Sequence, residues 1–253
     1  MRTSEWISLL FLTLFTLLAL IRHLPLRNRL IIIALGICGM ALLWFGIRQA
    51  QIRDWIPTVL MVVVYWQGGR FFSTPHNKLQ QYLEKFETNF SFLDQKRPHV
   101  YWEIAYFFCY PMVPGAVATL YALDLTSDID FFWTVVLAPT FLCHLIVSFY
   151  QTLPPWKYRS LSVEGFSRKI NFLVIRHASI QINTFPSAHV AASMAVAFAM
   201  LHFHLVAGLI FLFLGISITI ATVVGRYHYA ADAVWGVVLA AGWYVITAVL
   251  FHH

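Results

Sequence analysis

Two polar patches of this chain hold groups able to attack phosphorus or move a proton. They are Asn183-Thr-Phe-Pro-Ser-Ala-His189 and Gly225-Arg-Tyr-His-Tyr-Ala-Ala-Asp232, each set between apolar runs. In the first, Pro186 suits the opening turn of a helix, because it has no N–H to lose and its φ is already helical. The N–H groups of Ser187, Ala188 and His189 would then point out of the helix end, where the dipole favours an anion. In the second, His228 and Asp232 are spaced i, i+4, so on a helical turn the carboxylate reaches one ring nitrogen and leaves the other lone pair free.

An imidazole held in this way is a competent nucleophile toward phosphorus. His189, on the far side of the phosphoryl group, would protonate the departing oxygen, a task worth roughly 10² to 10⁴ in rate. Arg226, Ser187 and the cations of a separate basic loop, Lys157 and Arg159, would balance charge on the equatorial oxygens. The scheme calls for no metal and no cofactor, and neither an HExxH run nor a His/Cys cluster suggests one.

The elements that must position these groups are apolar. Of 253 residues, 60% are hydrophobic and 11% charged, which excludes a soluble domain with a polar surface and points to an all-α, polytopic membrane bundle. A span needs roughly 20 apolar residues, and that length picks out about eight: 5 to 22, 29 to 47, 54 to 72, 100 to 123, 129 to 150, 186 to 204, 206 to 224 and 232 to 251. The first lacks a basic n-region and a cleavage site, so it reads as a retained span. The third, with Pro57 and the exit Gln67-Gly-Gly-Arg70, is the weakest. The net charge of +6 sits in short loops, which favours anionic headgroups or phosphate substrates over nucleic acid. Lys157 and Arg159 follow Pro154-Pro155, which stiffens the loop that carries them. With this count, the Pro-Pro loop after the fifth span and the His228 loop after the seventh share one side of the membrane. His189, His228, Asp232 and the basic loop can then meet in one pocket.

Other polar features read more plainly. Leu79, Tyr82, Leu83 and Phe86 recur at helical spacing within Asn77 to Phe90, as in an interfacial amphipathic helix. Asp124, Asp128 and Asp130 read as a solvated turn, and Cys38, Cys109 and Cys143 as small buried hydrophobes rather than a disulfide framework. His144 reads as an interhelical histidine near the cleft. His202, His204, His252 and His253 read as interfacial residues at the opposite surface.

Phe185-Pro-Ser-Ala-His189 resembles the second motif of the type 2 phosphatidic acid phosphatase superfamily, Pro-Ser-Gly-His, and His228 to Asp232 resembles the end of its third. The resemblance runs from Pro139 to the C-terminus. It implies a six-helix phosphatase-like core, with His228 as nucleophile, Asp232 as its orienting partner and His189 as general acid. Ala188 stands where the family has Gly, Thr222 where its third motif has arginine, and the first motif, Lys, six residues, Arg-Pro, is reduced to the fragment Lys96-Arg97-Pro98. This reduced pattern is similar to the inositol phosphorylceramide synthase and sphingomyelin synthase branch.

The sequence is therefore read as two parts, an N-terminal two-span extension (1–53) and a catalytic membrane domain (54–253). The expected activity is hydrolysis of a lipid phosphate or diphosphate through a phosphohistidine. The alternatives are a lipid headgroup phosphotransferase and, in another class, an inactive membrane scaffold or transporter. The partners are the lipid phosphate and the surrounding membrane lipids, and the expected location is the cell (inner) membrane. All of the 17 Lys and Arg except Arg2, Arg48 and Arg53 fall on the site's side, which the positive-inside rule makes cytoplasmic, whereas the family's sites more often face outward.

Overall fold

A computed structural model describes residues 1–93, 100–158 and 165–251. Its helices, in chain order, are α1 (Thr3–Ile21), α2 (Leu26–Ile47), α3 (Ala50–Arg53), α4 (Ile56–Gly69), α5 (Asn77–Glu87), α6 (Val100–Phe107), α7 (Met112–Ala122), α8 (Ile129–Val147), α9 (Pro155–Tyr158), α10 (Phe166–Ala178), α11 (Ala188–Phe203), α12 (Leu205–Val224) and α13 (Ala230–Phe251). Among the described residues there is no strand, only an antiparallel bridge between Thr152 and Asn183. His252 and His253, like the Lys96-Arg97-Pro98 fragment, lie outside the described residues.

The fold is an all-α membrane bundle, and each of the eight apolar runs forms a helix or a bent helix pair. α1, α2, α8, α12 and α13 are long and apolar enough to cross a membrane. The run expected as a single span from 100 to 123 is instead α6 and α7, bent by 66°. Pro111 stands at the N-cap of α7 and explains the break, since the residue before a proline is pushed out of the helical region and Pro itself donates no N–H. α4 and α11, with 14 and 16 residues, are shorter apolar helices. Pro57 sits in the first turn of α4, where a proline costs no hydrogen bond.

The bundle is organised around α8 and α11. α8 is buried on nearly every face, from Ile129 to Val147. α11 is rich in Ala, which lets α8, α12 and α13 approach its backbone. α1 and α4 pack on the other side of α8, with α2 outside them, and their buried residues join the same apolar core. Large apolar side chains of α12 and α13, such as Phe213, Val238 and Val249, face outward, as a lipid-facing surface requires. Cys38 is exposed on such a surface, whereas Cys143 is buried and Cys109 half-buried, so burial holds for only part of the cysteine set.

At the end of the bundle away from the two polar patches, charges tie the helices together. Arg53 makes a two-pronged pair with Glu5, at 2.6 and 2.9 Å. Asp54 pairs with Arg2 and accepts from the Tyr121 hydroxyl at 2.7 Å. Asp130, expected in a solvated turn, accepts from the Thr3 and Ser4 N–H groups and the Ser4 hydroxyl, and so satisfies donors that α1 would otherwise leave open. His202 stacks on Phe131, and the ring of His204 accepts from the Ala207 N–H at the start of α12.

At the other end, α5 is more than an interfacial helix. Leu83 is fully buried against Tyr229 and Ala231, and Gln80 donates to the Tyr229 hydroxyl at 2.7 Å. α13 crosses the entry of α11 at Gly236, where a Cβ would stand 2.8 Å from the Ser187 carbonyl oxygen and 3.0 Å from Val190 Cβ. Gly236→Ala is expected to force these helix starts apart and destabilise the fold by about 1–3 kcal/mol. The unfolding midpoint of detergent-purified protein should fall by several degrees, and an unchanged midpoint would mean that α13 can shift freely at this crossing.

Candidate active site

The entry to α11 differs from its sequence expectation. Ser187 is the N-cap, its Oγ accepting from the Val190 N–H at 3.4 Å, and Pro186 lies outside the helix after a cis peptide bond. The Ser187 N–H donates to the Asp232 carbonyl at 3.0 Å and the Ala188 N–H to Thr184 Oγ1 at 3.2 Å. The expected anion seat is therefore largely occupied by the protein's own acceptors, and Ser187 is fully buried. Among the described residues, the N–H of His189 alone in this group finds no acceptor.

His228 is held by a turn rather than by a helical i, i+4 face. α12 ends with the Arg226 N–H donating to the Val223 carbonyl and the Tyr227 and His228 N–H groups to that of Thr222, while Arg226 takes φ +62°. This is a Schellman-type stop with arginine in the left-handed position that usually belongs to glycine. Thr222, which stands where the family has arginine, thus contributes its carbonyl to shaping the loop. Asp232 is the third residue of α13 and accepts from the Tyr229 N–H at 2.9 Å, half of a capping box.

The His228 ring is fixed at Nδ1 by two acceptors. Asn183 Oδ1 lies at 2.9 Å and Asp232 Oδ2 at 3.4 Å. The Asn183 amide is itself oriented, since its Nδ2 donates to Thr152 Oγ1 at 2.9 Å and its backbone N–H to the Thr152 carbonyl. The network assigns the ring proton to Nδ1 and leaves Nε2 with its lone pair. Asn183 began the patch singled out by sequence, yet it was not among the expected site residues. Nothing in the spacing of residues 183 and 228 announces their contact.

Each neighbour of His228 is also anchored. The Ala230 N–H donates to Glu87 Oε2 at 2.8 Å, and Arg226 faces Glu87 Oε1 at 3.9 Å. Tyr227 stacks on Tyr106 with centroids 3.6 Å apart, and its hydroxyl donates to Glu103 Oε2 at 2.5 Å. Glu103 in turn pairs with Arg168 and accepts from Asn171 at 2.8 Å. Glu87 and Glu103 escaped sequence reasoning because a carboxylate on a short helix looks the same whether it meets water or a buried loop.

His189 and His228 come together with ring centroids 5.7 Å apart and planes at 77°. Both line a cavity of about 530 Å³ between α4, the α6–α7 bend, α8, α10 and α11. Its wall is mostly apolar, with Tyr65, Tyr106, Tyr110 and His144 among the polar side chains. Trp156 reaches the cavity, while the adjacent Lys157 is exposed with its Nζ 5.5 Å from the Trp156 ring centroid, which places this cation near the rim. Arg226 is buried beside Glu87 and is not among the lining residues, and Arg159 lies outside the described residues. Among the described residues no Lys or Arg lines the cavity, and no group of three His, Cys, Asp or Glu is placed to hold a metal ion.

The family model described as PAP2 superfamily matches residues 84–246. The chain belongs to the PAP2 superfamily. Membership supports a phosphatase-like function, as a phosphoric ester hydrolase or transferase, and suggests lipid phosphates in a membrane as the substrate class. The match begins at Glu84, within α5, and so takes in Glu87 and Glu103 as well as both histidines. Comparison with curated proteins and with solved structures finds no match.

Burial pushes the His228 imidazole from its ordinary 6.5 down to about 3, so the ring stays neutral at physiological pH. Burial also raises the Tyr227 phenol, with Glu103 adding to the effect, so it remains a donor. An unfolded chain binds a proton at position 228 below about 6.5 and the folded one does not. The native state is therefore fully favoured above that pH and loses stability as pH falls toward 3. The unfolding midpoint should drop through this window, and His228→Asn should make the drop shallower. Identical slopes would mean that the ring is charged in the fold.

Proposed function

We propose that the protein is an integral membrane phosphatase that hydrolyses a lipid phosphate or diphosphate through a phosphohistidine at His228. The observation that carries this reading is the pairing of an Nδ1-anchored, neutral His228 with His189 on the wall of a largely apolar cavity. Nε2 of His228 attacks phosphorus and the bond to the lipid oxygen breaks. His189, protonated in the complex with the anionic phosphate, delivers that proton to the departing oxygen, then takes one back from water as water cleaves the N–P bond. His189, His228 and Asp232 are the catalytic set, with Asp232 acting on the orientation and charge of His228.

Lys157 supplies positive charge near the rim, and Arg159, outside the described residues, is the second cation assigned to the phosphate. Arg226 and Ser187, first expected to touch phosphate, contribute at one remove, Arg226 by anchoring the His228 loop to Glu87 and Ser187 by capping the helix that presents His189. In this reading residues 54–253 form the catalytic domain, residues 1–53 are an extension packed on it, and the enzyme works in the cell (inner) membrane. A second reading, transfer of a lipid headgroup to an alcohol, is favoured by one observation. A wall without Lys or Arg among the described residues suits a singly charged phosphodiester better than a dianionic monoester.

Detergent-purified protein given lipid phosphates and diphosphates is expected to release inorganic phosphate, and His228→Ala to lower the rate by about 10³-fold or more. A denaturing quench should trap acid-labile phosphate on wild type and not on the variant. Phosphate appearing only as a new ester, and only when an alcohol is added, would favour transfer. Undiminished turnover in His228→Ala would end the phosphohistidine reading.

Asn183 generates a separate expectation. Asn183→Leu should reduce kcat by about 10- to 10²-fold with little change in KM, because the ring loses its shorter anchor. Asn183→Asp, which keeps an acceptor at Oδ, should recover part of the loss. Unaltered kcat in Asn183→Leu would leave Asp232 as the sole orienting group.

A further inference from the structure

His144 is the buried titratable group that the scheme above does not use. It belongs to α8 and is 4% exposed. Neither of its ring nitrogens has a hydrogen-bond partner among the described residues, and Nδ1 is shut off from solvent. The ring lines the cavity, flanked edge-on by Tyr65 at 5.5 Å between centroids. The preceding residue, Cys143, packs against Ala188 and Ala191, so His144 stands at the level of His189 across the same space. A polar side chain this deeply buried is normally paired, and one left open toward a cavity of ligand size marks where a ligand atom belongs.

We propose that His144 forms a subsite for a neutral hydroxyl close to the reacting phosphate. The inference rests on the reading of His228 as the point of phosphoryl attack. Because Nδ1 is occluded, the edge of the ring that meets the cavity carries Nε2. A second anion there would be buried with no Lys or Arg beside it among the lining residues, which is unfavourable. A plain alkyl chain would displace water and strand the imidazole without a partner, which is also unfavourable. A hydroxyl both accepts and donates and so fits either tautomer of the ring. Beyond His144 the wall turns apolar at Met61, Val62, Val113 and Pro114, which suits the chain that follows. The hydroxyl belongs either to the backbone of the lipid itself or to a separate small polyol bound beside it. A site built on one such bond discriminates against the analogue that lacks it.

The test measures binding to detergent-purified full-length protein. Two alkylphosphonates of equal chain length are compared, one with a hydroxyl two carbons from phosphorus and one without. Wild type is expected to bind the hydroxylated compound tighter by roughly five- to twentyfold. In His144→Leu that ratio should fall to within about twofold, and His144→Gln, which keeps a hydrogen-bonding group, should restore part of it. In a second arm glycerol is titrated against the deoxy phosphonate, with propane-1,2-diol and propan-1-ol as controls. A glycerol effect that needs His144, without a preference between the phosphonates, assigns the hydroxyl to a separate polyol. Equal binding of the two phosphonates with no His144-dependent glycerol effect overturns the proposal, as does a preference that survives in His144→Leu. A His144-dependent preference with no phosphate release from the matching esters leaves the subsite standing and defeats the hydrolase reading. Failure of folded protein to bind either phosphonate defeats both.

Discussion

A polar loop set among apolar helices persists only if its hydrogen-bonding groups find partners inside the protein, and the segment from Gly225 to Asp232 lives under that constraint. Its backbone donors are met by the Ala221, Thr222, Val223 and Tyr229 carbonyls and by Glu87 and Asp232. Its side chains are met by Asn183, Glu103, Gln80 and Glu87. Partners come from α5, α6 and the bridge segment before α11, with α10 bracing Glu103 from behind, so elements distant in sequence converge to hold one turn. The two buried carboxylates each carry several bonds at once. Removing either would therefore leave a set of orphaned groups rather than a single missing contact.

This arrangement explains why the site is rigid where chemistry is proposed and open where substrate is. Tyr106 and Tyr227 are stacked and His228 is gripped at Nδ1, whereas the space in front of Nε2 is bounded mainly by apolar side chains and aromatic edges. A neutral imidazole suits such surroundings, because charging it would require water that the wall excludes. The described cations predicted as phosphate ligands have separated into two uses. Arg226 stabilises the architecture through a buried pair, as Arg168 does elsewhere in the site, and Lys157 stays in the open near the rim.

Much of this was legible in the sequence. The eight apolar runs, the shared side of the two polar patches and the convergence of His189 with His228 follow from hydropathy and from counting spans. What escaped was set by tertiary contact. The Pro111 break was present in the sequence but hidden inside a run that was apolar throughout. Pro186 matched a helix start by its geometry, yet Ser187 with its capping hydroxyl won the position. His228 and Asp232 meet as expected, though through a turn and a cap rather than a helical face. Asn183, Glu87 and Glu103 carry no local signal, since their partners lie 45, 143 and 124 residues away.

The ion pairs at the far end of the bundle have a mechanical corollary. Glu5, Arg53, Asp54 and Asp130 bind α1, the α3–α4 junction, α7 and α8 together, while Arg22, Asn28 and Gln151 bind the opposite ends of neighbouring segments through the carbonyls of Ser148, Arg70 and Phe71. Ties at both ends oppose a fanning apart of these helices to admit a bulky guest. Room is more easily made at the interrupted helix of residues 108–111, where Cys109 and Tyr110 already line the hollow.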